Sequence, residues 1–125
     1  MEGMPVIALA EALKRAMGDA DFLKMMLDEL HHEIPEIIAR LETAIQEGDL
    51  ASIGQEAHQL KGAAANLGAK AVAGAALKLE QIGKSKNPEG SGQALEELKQ
   101  AAEIFGRHIA AIDWKGLAAK SSAQD

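Results

Sequence analysis

The chain has 125 residues, enough for one domain with a single core. It contains no cysteine, which excludes disulfides, thiolate nucleophiles and sulfur-ligated zinc. Phe22, Phe105 and Trp114 are its only aromatic residues and its net charge is −6, which argues against base or sugar stacking and against general nucleic-acid binding. An apolar fraction of 47% and a charged fraction of 26% are those of a soluble globular protein. Charges interrupt every apolar run, so no membrane crossing is expected. The N-terminus lacks the basic-then-apolar layout of a signal peptide, and the expected location is the cytoplasm.

Alanine supplies 25 residues, whereas Val, Ile and Thr together supply 13, a mixture that favours helix over sheet. The apolar set Val6, Leu9, Leu13 and Met17 predicts a short helix over residues 5–17. Gly18 then breaks it, and Asp19 is suited to cap a long helix. That helix carries Phe22, Leu23, Met26, Leu27, Leu30, Ile34, Ile37, Ile38, Leu41 and Ile45 on one broad face, with Pro35 expected to kink or split it. Gly48-Asp49 is the next stop and cap, followed by a helix from about Leu50 to Leu67 that Gly68 ends in a left-handed turn. Val72, Ala76, Leu79 and Ile82 mark a helix over 70–82. The stretch from Gly83 to Gly92 reads as the longest loop. Leu95, Leu98, Ala102, Phe105, Ile109 and Ile112 mark the last helix, and the tail 118–125 is expected to fray. No segment alternates with strand periodicity. The predicted fold is all-α: an antiparallel up-down-up-down four-helix bundle with an additional short N-terminal helix, a single domain over residues 1–117. No long apolar stripe is left over once the core is assigned, so a monomer is expected.

The helix over 50–67 is unlike its neighbours. At about 100° per residue, Ile53, Ala57, Leu60, Ala64 and Leu67 form the core arc. His58 falls roughly 150° from the centre of that arc and points to solvent. Beside it on the outer face lie Ala51, Gly54, Lys61, Gly62 and Ala65. A solvent face is normally filled with Glu, Lys and Gln. Two glycines inside a helix cost about 1 kcal/mol each relative to alanine. Bare backbone at that cost suggests a surface that another molecule approaches closely; close helix–helix packing is the competing reading, and the position of both glycines off the core arc speaks against it. An exposed neutral imidazole is a nucleophile. A phosphoryl group on it would carry close to two negative charges, which Lys61 at i+3 could screen. No carboxylate is visible on this outer face, since Glu56 lies too far round the helix. Charge supports the same region: residues 1–50 are net −7 and residues 85–125 net −1, but residues 51–84 are net +2.

The run from Ala57 through His58, Leu60, Lys61, Gly62 and Asn66 to Ala69 closely resembles the signature of histidine-containing phosphotransfer domains. Gly18 to Leu23, Leu41 to Ala44, Gly48 to Leu50 and the pair Leu79-Glu80 are similar to further parts of that family's pattern, over roughly residues 6–110. Many members carry serine where this chain has Ala63 or Ala64. The resemblance implies a phosphorelay intermediate. His58 would accept a phosphoryl group from a receiver-domain aspartyl-phosphate and pass it to another receiver aspartate. Lys61 would steady the group. Gly54, Gly62, Ala51 and Ala65 would form the docking surface, and Glu80 or Gln55 would make polar contact with the imidazole from behind. The implied partners are receiver domains of hybrid histidine kinases and response regulators, with no nucleic acid and no membrane. The chain would bring no cofactor of its own, Mg²⁺ coming from the receiver, and would not be an autokinase.

Two other readings stand beside this one. An adaptor would dock receivers or partner helices through the same small-residue patch without phosphorylation of His58. A metal site could start from Glu29 and His32, with Asp28 and Glu36 on the same face, but a second Glu-x-x-His step is absent. His108 is expected in partly buried packing and Met17, Met25 and Met26 at the core or its edge. Gly74 and Gly106 are assigned to packing.

Overall fold

The computed structural model describes residues 6–123, with side chains through Ala118. Every regular element among them is helical: α1 (Leu9–Arg15), α2 (Ala20–Glu47), α3 (Leu50–Asn66), α4 (Lys70–Lys84), α5 (Ser91–Ala111) and α6 (Trp114–Ala123). α2 packs against α3 and α5, and α4 packs against the same two helices, so the four long helices form a closed cycle. α6 lies on α2, and α1 touches its start. The core fills the space between them with Leu27, Leu30 and Ile34 of α2, Ile53 and Leu60 of α3, Val72 and Leu79 of α4, and Leu98 and Phe105 of α5.

Local chemistry explains the boundaries. Asp19 caps α2 by accepting a hydrogen bond from the Phe22 N–H at 3.0 Å, and Gly48 ends the helix at φ 65°. Asp49 caps α3 twice, accepting from the Ser52 N–H at 3.1 Å and the Ser52 hydroxyl at 2.6 Å. The Ser52 hydroxyl lowers the Asp49 pKa below the usual carboxylate range. At the far end of α3, Gly68 adopts φ +74° as its position requires. Its carbonyl accepts the Ala8 N–H at 2.7 Å, which docks α1 onto the α3–α4 turn. Arg15 completes the cap, donating from Nη1 to the carbonyls of Ala65 (2.7 Å) and Asn66 (3.1 Å).

Several expectations are corrected. Pro35 does not divide α2, which is one helix of 28 residues. A proline inside a helix costs about 3 kcal/mol, but the stripe from Leu23 to Ala44 is buried on both sides of it and holds the two halves together. α1 is shorter than residues 5–17, and Pro5 lies outside the described residues. α4 and α5 both extend into the expected loop, leaving residues 85–90. A sixth helix follows Asp113, its backbone running through Ala123, and residues 124–125 lie outside the described ones. Met17 is not core: it takes a positive φ of 59° in the turn that ends α1 and projects into solvent. Met25 is likewise exposed, while Met26 is half-buried. Phe22, expected on the apolar face, is also exposed. His108 is exposed as well, because Phe105 and Ile109 take the inward positions of that turn.

Candidate functional site

The centre of α3 is held inward by Ile53, Ala57, Leu60 and Ala64, all fully buried. That register turns Ala51, Gln55, His58, Gly62 and Ala65 outward, and all five are exposed. The His58 side chain is 66% accessible, the value that decides whether a partner can reach the ring.

Beneath the ring lies a group that α3 does not supply. Glu80 of α4 is 1% exposed, with Leu79 buried beside it. One carboxylate oxygen accepts from His58 Nδ1, and the other accepts from Lys61 Nζ at 2.6 Å. Lys84, one turn further along α4, reaches the His58-bonded oxygen at 3.6 Å. The hydrogen bond from Lys61, then the one from His58, hold the Glu80 carboxyl at a pKa of about 2 against the opposing effect of burial. Glu80 is therefore ionised and can only accept hydrogen bonds. A neutral His58 ring must then carry its proton on Nδ1, which leaves the lone pair on Nε2. The site thus contains a nucleophilic nitrogen, a buried anion that fixes the tautomer, and two ammonium groups.

The expectation of an outer face free of carboxylates is thereby corrected. It holds for α3, where Glu56 turns away to pair with Arg40 of α2 at 3.0 Å, but α4 delivers Glu80 directly under the imidazole. Lys61 is 31% exposed and engaged with Glu80, not free in solvent. Gln55 sits one turn before His58 and takes no part in the hydrogen bonds of Glu80.

The two glycines of α3 separate. A Cβ on Gly62 would meet nothing within 4 Å, so that position is open surface. Gly54 is half-buried and faces α4, where a Cβ would contact the Gly83 backbone at 3.5 Å. Seen from the other side the fit is tighter. A Cβ on Gly83 would overlap the Gly54 backbone and come within 3.0 Å of the Leu50 carbonyl. Gly54 therefore belongs to a close crossing of α3 and α4, and its assignment to the docking surface is corrected. That crossing draws α4 against α3 one turn beyond Glu80.

Sequence reasoning missed Lys84 and Gly83. Both signals were available: Gly83 lies four residues after Leu79 and Lys84 four after Glu80, and Val72, Ala76 and Glu80 recur at i, i+4, i+8, which places that carboxylate on a buried stripe. The other histidines form no comparable site. The His31 ring is 6.2 Å from Phe105 between centroids and lies over Gly106, where a Cβ would overlap it. Asp28 pairs with Lys24 at 2.6 Å. Among the described residues no group of three His, Asp or Glu side chains is placed to hold a metal ion.

Comparison with known proteins agrees with the helical fold. The chain is similar in fold to the crystal structure of histidine-containing phosphotransfer protein B (HptB) from Pseudomonas aeruginosa PAO1, with a TM-score of 0.76 and 21% identity over 86% of this chain and 97% of that one. No curated protein matched the sequence. No helix among the described residues is long and apolar enough to cross a membrane. The model of the Hpt domain family matches residues 25–107, a span that contains His58, Lys61 and Glu80. The chain therefore belongs to the Hpt domain family, phosphocarrier modules that serve histidine phosphotransfer in phosphorelays and interact with receiver domains.

Proposed function

We propose that His58 is the phosphoryl acceptor and that Nε2 is its reacting atom. The observation that carries this reading is an exposed ring whose Nδ1 is bonded to a buried, ionised carboxylate. In the forward step the Nε2 lone pair attacks the phosphorus of a receiver's aspartyl-phosphate. The N–P bond forms, the P–O bond breaks, and the aspartate leaves as a carboxylate. The second step runs the same exchange toward the aspartate of another receiver. Mg²⁺ and the acidic groups around the transferring phosphoryl come from the receiver. This chain supplies the nucleophile, its orientation and nearby positive charge.

Lys61 turns from Glu80 toward the phosphoryl group as that charge arrives, and Glu80 keeps its hold on Nδ1. The exposed stripe of Ala51, Gln55, Gly62 and Ala65 gives the receiver a low surface to settle on. The partners are receiver domains of hybrid histidine kinases and response regulators. The protein is a cytoplasmic monomer without autokinase activity. Short turns join α2–α3 and α3–α4, and the closed contact cycle of α2 to α5 supports an up-down-up-down antiparallel bundle.

The test is incubation with a phosphorylated receiver. Acid-labile, base-stable label on this chain, lost in His58→Gln, is the expected result. A chain that binds the receiver but never acquires label is an adaptor, and the proposal fails.

A further inference from the structure

Glu80 brings more than a hydrogen bond to the site, because it brings a fixed negative charge where a neutral acceptor would suffice to orient the ring. The carboxylate is buried and bonded directly to His58 Nδ1. Its other contacts are ammonium groups: Lys61 at 2.6 Å from α3 and Lys84 at 3.6 Å from α4. Among the described residues neither α2 nor α5 sends a charged side chain to it.

A phosphorylated imidazole leaves its phosphoryl group in one of two forms. With Nδ1 protonated, the ring is an imidazolium, and breaking the N–P bond returns the electron pair to Nε2 and yields neutral imidazole. With Nδ1 deprotonated, the same cleavage must yield imidazolate, a far poorer leaving group. An anion bonded to Nδ1 favours the protonated form.

We propose that Glu80 is a positioning residue that retains the Nδ1 proton on phosphorylated His58 and so keeps the phosphoryl group ready to leave. The inference rests on the reading of His58 as acceptor. In transfer the P–O bond forms to the receiver carboxylate as the N–P bond breaks, and the Nδ1 proton stays between the ring and Glu80. In hydrolysis water takes the place of the carboxylate and inorganic phosphate departs. A carrier built this way gives up its phosphoryl group quickly and stores it briefly. Lys61 and Lys84 oppose the effect in the unphosphorylated protein, since they share the same carboxylate. Once drawn toward the phosphoryl oxygens they leave Glu80 to the ring.

The full chain is phosphorylated with phosphoramidate, which phosphorylates imidazole without a protein partner, and the loss of label is followed in wild type and Glu80→Gln. The amide keeps an acceptor for Nδ1–H and removes the charge. The label is expected to persist about tenfold longer in Glu80→Gln near pH 8, since about a hundredfold loss of proton affinity would leave the variant's phosphorylated ring mostly deprotonated there. The wild-type decay rate is expected to stay level between about pH 6 and about pH 8, while that of the variant falls as pH rises. Equal lifetimes, or a shorter one in the variant, overturn the inference. Should Glu80→Gln not fold, the ¹⁵N shift of Nδ1 in phosphorylated wild type decides. A protonated shift held through about pH 8 supports the inference, and a change to the deprotonated shift below about pH 7 overturns it. A chain whose His58 takes no label from either phosphoramidate or a receiver removes the acceptor reading itself. A labelled chain indifferent to Glu80 removes only the inference.

Discussion

His58 and His31 are both exposed histidines on long helices of one protein, and only one stands over a charge. His31 lies across Gly106 beside the Phe105 ring, and that packing leaves its tautomer open. His58 stands on Glu80, which fixes the proton on Nδ1 and the lone pair on Nε2. Exposure alone does not make an imidazole a nucleophile of defined direction. The difference lies underneath, in a carboxylate kept ionised by Lys61 and reached from the next helix. The same contrast holds for the glycines of α3. Gly62 is bare surface, while Gly54 is the partner of a backbone crossing.

The first way to break the comparison is to exchange the histidines for glutamine. His58→Gln should abolish acquisition of label from a phosphorylated receiver, and His31→Gln should leave its rate unchanged. A His58→Gln chain that still takes a single base-stable label would place the chemistry elsewhere. Next come the groups around the ring. Lys61→Ala should slow transfer by about tenfold, the effect of losing one hydrogen bond to a charged group, with the helical circular dichroism signal retained. Gly62→Gln should also slow transfer with the fold retained, because its side chain projects into the receiver's approach. Transfer rates equal to wild type in both variants would remove the roles given to Lys61 and to the open surface.

The glycine pair yields smaller and opposite effects, readable in urea denaturation. Gly83→Ala should destabilise by ~1–3 kcal/mol, since its Cβ forces the α3 and α4 backbones apart. Gly62→Ala should instead stabilise by about 1 kcal/mol through helix propensity, as nothing surrounds the new methyl. Equal changes at the two positions would contradict their separation into seam and surface.

A further signal is in acid. The Glu80 pKa is lowered from 4.5 to about 2, so between those values the unfolded chain binds more protons than the folded one. The stabilising contribution of Glu80 is then complete above about 4.5 and lost as pH falls through about 2. Acid unfolding of Glu80→Gln should lack that component. An identical acid limb in both proteins would show that the carboxylate is not bound as described.

Much of this was legible because each feature is local to one helix. The outward direction of His58 follows from Ile53, Ala57 and Leu60 on the opposite arc, and the helix ends follow from Asp19, Asp49, Gly48 and Gly68. What stayed hidden depends on a second helix. The contact of Glu80 with His58 was implied by the family resemblance alone; its burial and its second hydrogen bond, from Lys61, require the register of α4 against α3, which the crossing at Gly54 and Gly83 helps to fix. The split expected at Pro35 does not occur because its local penalty is outweighed by the long buried stripe of α2. Met17 misled because helical spacing does not report a left-handed turn at the end of α1. α6 was invisible for want of a clear apolar face; its Trp114 is tied to the end of α5 by donating Nε1–H to the Ile109 carbonyl at 3.3 Å.

The most direct measurement is identification of the phosphorylated atom after transfer from a receiver, by ³¹P and ¹⁵N NMR of the intact chain. The hydrogen bond between Nδ1 and Glu80 predicts a single phosphoryl group on Nε2 of His58. Phosphorylation at Nδ1, or on any other side chain, would contradict the account at its centre.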